Sequence, residues 1–190
     1  SLKSDGGRLE RFETALLSCI EGLYRDRLVS TLGEVQLRMR DCGWSLGSEL
    51  AAVLTVSARR PQHFKLVPPS IGEPPRVLLR ELPPWFTGFQ DSDVAGDKYS
   101  PDVWEGLEHM LMEPGCFPIK GGLAEVATQL SRRGSLPMSL RRLPLGELRH
   151  VLCLALGPRQ LLRYSPDDGR LLVAALERPS NRAALETTPE

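Results

Sequence analysis

The sequence has little of what an active site is usually built from. Its three histidines, His63, His109 and His150, stand apart, with no carboxylate or cysteine at metal-ligand or triad spacing. There is no GxxxxGK loop, no GxGxxG after a strand-like run and no HExxH. The chain therefore reads as a non-enzyme, with no cofactor, no metal and no small-molecule substrate. Its four cysteines, Cys19, Cys42, Cys116 and Cys153, include no CxxC pair, and three of them sit among apolar residues. That is the usage of reduced, buried thiols in an intracellular protein, cytoplasmic or nuclear, rather than of a disulfide framework or a zinc site. No apolar run approaches the roughly 18 residues that span a bilayer, and no charged-then-apolar leader is present, so no membrane partner is expected. A chain opening on Ser1 rather than Met reads as a piece of something longer, and the missing leader carries little weight. Net charge is absent too: 24 basic side chains meet 24 acidic ones, so any argument for a polyanionic partner has to be local.

What is present is a repeat. Pro144 to Leu176 reads as one helix feeding one hairpin. Leu145, Leu148, Val151, Leu152 and Ala155 follow helical spacing, Pro144 suits the first helical position, and Gly157-Pro158 stops the helix. Gln160 to Tyr164 and Arg170 to Leu176 then flank Ser165-Pro166-Asp167-Asp168-Gly169, the residues of a tight turn. An earlier copy runs from Leu46 to Leu54, then Phe64 to Val67, a Pro/Gly-rich loop from Pro68 to Pro75, and Arg76 to Arg80. Leu54 to Phe64 and Leu152 to Leu162 are both ten residues apart, so Lys65 and Arg163 take equivalent places on the first hairpin strand. Self-similarity of this kind predicts two diverged copies of one small domain, each near the lower size limit for a self-sufficient core.

In chain order, residues 1–8 are polar and predicted flexible, and 9–82 form the first domain. Its opening helix covers Leu9 to Leu23, a brief strand Leu28-Val29, and a second helix capped by Thr31 with Glu34 reaching back and closed by Gly43. Ser45 is the predicted cap of the repeated helix. Residues 83–100, rich in Pro, Gly and Asp, are predicted to be a linker. Its aromatics Trp85, Phe86 and Phe89 either cover the seam between the domains or form an exposed docking patch. The second domain, 101–176, repeats the order: Ser100-Pro101 opens a helix through Val103, Trp104, Leu107, Met110 and Leu111. A short strand over Cys116 to Ile119 follows, with Pro118 requiring an edge, and then a helix from Gly122 to Arg133. Ser135 to Leu143 is an insertion whose path the pattern leaves open, and 177–190 is predicted to be a disordered tail. Helix, short strand, helix, helix, hairpin is the winged helix-turn-helix order. The fold class predicted is α+β, mainly helical, with two tandem winged helix-turn-helix domains of three helices plus a β-hairpin wing.

Two small motifs are weak signals of a ligand. Gly121-Gly122 beside Lys120 can present free amides to an anion, but a turn is the commoner use. The stretch from Asp91 to Asp102 resembles a calcium loop but has Ala95 where a ligand is needed and Asp102 where a bidentate Glu belongs.

The informative signal is charge polarity. Between Arg132 and Arg163 lie seven arginines, Arg132, Arg133, Arg141, Arg142, Arg149, Arg159 and Arg163, against Glu147 alone, a balance of +7 − 1 = +6. From Arg59 to Arg80 the first domain carries Arg59, Arg60, Lys65, Arg76 and Arg80 against Glu73, +5 − 1 = +4. Glu81 to Glu113 is acidic. Arginine's planar fork pairs phosphate oxygens and stacks on bases, so Arg132, Arg133, Arg141, Arg142, Arg149, Arg159, Arg163 and Arg170, with Lys65 and Arg76 in the first domain, are candidates for a nucleic-acid track. The alternative is that these arginines neutralise the acidic stretch internally. The third helix has no Asn, Gln or Lys to read base edges, which argues against sequence-specific duplex recognition.

The opening helix ending near Leu23, the Gly43-Trp44, Leu46, Leu50, Leu54 series, and Phe64-Lys65-Leu66 leading to Arg76-Val77-Leu78-Leu79 resemble the LOTUS (OST-HTH) and Egalitarian-type winged-helix modules. The resemblance implies RNA binding, or docking of a helicase or adaptor protein, without catalysis. The long Pro-rich wing and the Ser135 to Leu143 insertion depart from that pattern. Two functions stay in view: binding of RNA or single-stranded nucleic acid through the arginine-rich face of the second domain, and protein interaction through the linker aromatics or an exposed helix face.

Overall fold

Phe12, Leu16, Cys19, Ile20, Leu23 and Tyr24 fall three or four residues apart along one helix and are all buried, and the first core is built on that stripe. The computed structural model describes residues 3–44, 49–90 and 96–174. Ser45 to Ser48, Asp91, Asp93 and Ala95, and the 177–190 tail lie outside the described residues. The chain divides into two compact units, 1–90 and 91–190. Among the described residues it is an α+β fold of seven helices with small antiparallel sheets.

In the first unit, α1 (Lys3–Arg25), α2 (Leu32–Asp41) and α3 (Glu49–Arg59) precede β1 (Phe64–Val67) and β2 (Arg76–Leu79). Helix α1 starts at Lys3, so residues 3–8, expected to be flexible, are helical. Thr31 caps α2 by accepting the Glu34 N–H at 3.3 Å, and Gly43 ends the turn beyond it at φ +86°, a conformation glycine adopts at little cost. The strand expected at Leu28-Val29 is absent. Pairing comes slightly later, where Val77 N donates to Ser30 O and Leu32 N to Pro75 O, and Thr31 bridges Arg76. Helix α3 buries Val53, Val56 and Ser57 and leaves Leu54 exposed, so Leu54 lies off its inward stripe.

The expected linker does not behave as one. Phe86 and Phe89 stack on Tyr24 of α1, with ring centroids 4.6 and 4.9 Å away, and Gln90 N donates to Arg27 O. Residues up to 90 thus belong to the first unit, because an aromatic cluster around a buried tyrosine outweighs the local Pro/Gly composition.

The second unit contains α4 (Pro101–Met112), β3 (Ile119–Lys120), α5 (Leu123–Ser131), α6 (Met138–Arg141), α7 (Leu145–Leu156), β4 (Leu162–Tyr164) and β5 (Arg170–Val173). Its sheet order is β3-β5-β4, with Pro118 just before an edge strand. The Ser135 to Leu143 insertion holds α6 and buries Leu136, just ahead of that helix, and Leu140, within it, in the core with Leu107, Leu130, Leu148 and Leu152. The two hairpins share a register. Phe64 faces Leu79 and Lys65 faces Leu78, as Leu162 faces Val173 and Arg163 faces Leu172.

Candidate nucleic-acid interface

Helix α7 is the one that the expected helix-turn-helix order makes the third, the helix that enters a groove in such proteins. No residue from Leu145 to Leu156 is exposed. One cause is the segment preceding α4. The Tyr99 hydroxyl donates to Glu147 O at 3.2 Å and lies 2.9 Å from His150 Nδ1, and Lys98 pairs with Glu147 at 3.3 Å. His150 is buried beside this contact. The sequence does carry a signal for it. Tyr99 directly precedes the Ser100 cap and Trp104 is the fourth residue of α4, the two positions of a hydrophobic staple, and their rings meet edge to face at 6.2 Å.

Arg159, just past α7, is held by the same segment. Its guanidinium pairs with Asp97 at 2.7 Å and stacks over the Trp104 ring at 3.7 Å, a cation–π contact added to an ion pair. Trp104 Nε1 and Tyr99 N also donate to the Asp97 carboxylate, at 3.2 and 3.1 Å. Partial desolvation pushes the Asp97 carboxyl up, but these hydrogen bonds and the Arg159 charge outweigh it and hold the pKa below the ordinary carboxylate value. Asp97, the last acid of the considered calcium loop apart from Asp102, is thus an arginine partner. Among the described residues no His/Cys/Asp/Glu group has metal-binding geometry.

The remaining candidates divide by exposure. Arg133 is half-buried and donates to Cys116 O at 3.2 Å and Cys116 Sγ at 3.1 Å. Arg149 and Arg163 are half-buried, with Nε shielded from solvent. Arg170 is exposed and pairs with Asp168 at 2.8 Å. Backbone and Ser165 hydrogen bonds to Asp168, with the Arg170 charge, lower that carboxyl's pKa. In the first unit Lys65 is exposed, and Arg76 is half-buried against Glu73 at 2.8 Å. Arg132, Arg141 and Arg142 are all exposed, and all lie on the connection from α5 to α7. Arg141 donates to Gly134 O, folding that connection on itself. From Ser131 to Gly146 there is no carboxylate.

The Gly122 amide is taken by its own helix. Gly122 N donates to Glu125 Oε2 at 3.2 Å, and a Cβ on Gly121 would lie 2.4 Å from that oxygen. The carboxylate sits where an anion would otherwise bind. Of the linker aromatics, Phe86 and Phe89 are half-buried on Tyr24, while Trp85 is 45% exposed with Arg25 stacked over its ring at 5.4 Å. No helix among the described residues is long and apolar enough to cross a membrane. Comparisons with protein-family models, curated proteins and solved structures find no match.

Proposed function

We propose that the two units are winged helix-turn-helix domains forming a non-catalytic module that binds RNA or single-stranded nucleic acid through its phosphates. The binding surface is the arginine-rich connection between α5 and α7. The order of helix, short pairing segment, helix, helix and hairpin, to which the second unit adds α6 between α5 and α7, supports the fold reading, together with a short segment that in both units pairs with the second hairpin strand. The observation that carries the function is the exposure of Arg132, Arg141 and Arg142, three arginines on one connection. With no fully exposed residue, α7 has little side chain to offer base edges, which favours contact through phosphates and indifference to sequence. Arg159 and Arg170, with their own carboxylates, contribute less than their exposure suggests.

The test is a titration of labelled oligouridine at increasing salt. Contacts to about three phosphates on a single strand give a slope of log K against log salt of about −2. Binding that does not weaken with salt, or no binding at low salt, overturns the reading.

A second reading, protein docking at the end of the first unit, is favoured by one observation. Leu82 and Trp85, three residues apart, are both substantially exposed while the neighbouring phenylalanines turn inward. A partner captured from RNase-treated extract by the wild type and lost with Trp85→Ala supports it; capture unaffected by Trp85→Ala removes it.

A further inference from the structure

Two of the four cysteines meet. Cys19, on the inner face of α1, and Cys42, at the end of α2, have Sγ atoms 3.8 Å apart although 23 residues separate them in sequence. A disulfide requires sulfurs about 2.05 Å apart, so bonding asks for a closure of about 1.8 Å. Cys42 is well placed to give that movement. It follows the last residue of α2 and precedes Gly43, whose φ of +86° turns the chain away from the helix. The two thiols also differ in access, since Cys19 is buried and Cys42 exposed. Burial pushes the Cys19 thiol up to about 12, the neighbouring Cys42 adding to the effect and Arg38 opposing it. Cys19 is therefore a poor first nucleophile, and a reagent arriving from solvent meets Cys42 first.

We propose that Cys19 and Cys42 form a two-thiol oxidation site, in which a hydroperoxide reacts at Cys42 and Cys19 then closes a disulfide that staples α1 to the end of α2. In the first step the Cys42 thiolate attacks a peroxide oxygen. The S–O bond forms as the O–O bond breaks, and the departing hydroxide takes up a proton as water. In the second step the Cys19 sulfur attacks the Cys42 sulfur while its proton passes to the sulfenic oxygen. The S–S bond forms, the S–O bond breaks and a second water leaves. With hydrogen peroxide, two thiols and one peroxide give one disulfide and two waters, two electrons passing from the sulfurs to the peroxide. Cys116 and Cys153 lie in the second unit and have no part in this exchange.

The experiment treats the full chain with hydrogen peroxide, quenches it, and alkylates it under denaturing conditions before trypsin digestion. The proposal expects two of the four cysteines to escape alkylation. It also expects one peptide pair, 12–25 joined to 41–59 and lighter by two hydrogens than the separate peptides, to appear and to be reversed by dithiothreitol. In Cys19→Ser, Cys42 is left as a sulfenic acid that dimedone traps. Because the wild-type digest decides the matter alone, poor folding of the variant does not blunt the test. Four alkylated cysteines, Cys42 overoxidised without a cross-link, or Cys42 joined to a second chain each overturn it.

Discussion

The Tyr99 hydroxyl stands 2.9 Å from Nδ1 of His150, joining the residue before the cap of α4 to the middle of α7. That one side chain also donates to Glu147 O, so it satisfies polar groups on the helix that a helix-turn-helix protein would place in a groove. Tyr99→Phe removes both hydrogen bonds and keeps the ring packed on Trp104. The second unit should lose about 1–2 kcal/mol, measured by urea denaturation, with the first unit unchanged. A loss below about 0.5 kcal/mol would show the contact to be incidental.

Asp97 gives this segment a pH dependence. Its folded pKa is lowered from the ordinary 3.8, so its contribution is fully present above that value and fades as pH falls below it through the lowered folded value. Asp97→Asn should therefore be less stable than wild type at neutral pH, and the gap should narrow only below the ordinary carboxylate pKa. Denaturation midpoints of both proteins across the acid range check this; a gap constant down to the most acid point contradicts it.

How much of this was legible in the sequence depends on the range of the forces involved. Local spacing and turn chemistry, as in the ten-residue step from Leu54 to Phe64 and from Leu152 to Leu162, matched the starts of β1 and β4 because hairpins and amphipathic helices are written over a few residues. Long-range packing was not legible. Phe86 and Phe89 look like linker residues until Tyr24, some sixty residues earlier, supplies the surface they stack on. Leu54 looks like core until α3 is seen to turn Val53 and Val56 inward. Of the charge signal, the sequence shows that arginines cluster but not which are already engaged. Arg159 on Asp97 and Trp104, and Arg133 on Cys116, were identified only by three-dimensional contact.

The insertion between α5 and α7 is structural as well as basic. Leu140 of α6 is completely buried in the core of the second unit, so Leu140→Ala should cost about 2–5 kcal/mol. Amide hydrogen exchange should show the loss in the second unit alone, with α1 and α2 protected as before. Equal loss of protection in both units would mean that the two cores do not unfold separately.

In the proposed function, phosphate is held at the connection between α5 and α7. The decisive measurement compares oligouridine affinity of wild type, Arg141→Glu/Arg142→Glu, and a charge-matched reversal on the first unit, Arg8→Glu/Arg11→Glu, all at the same low salt. The account predicts a loss of about tenfold or more for the first pair and little change for the second. Unchanged affinity in Arg141→Glu/Arg142→Glu, or an equal loss in both variants, would contradict it.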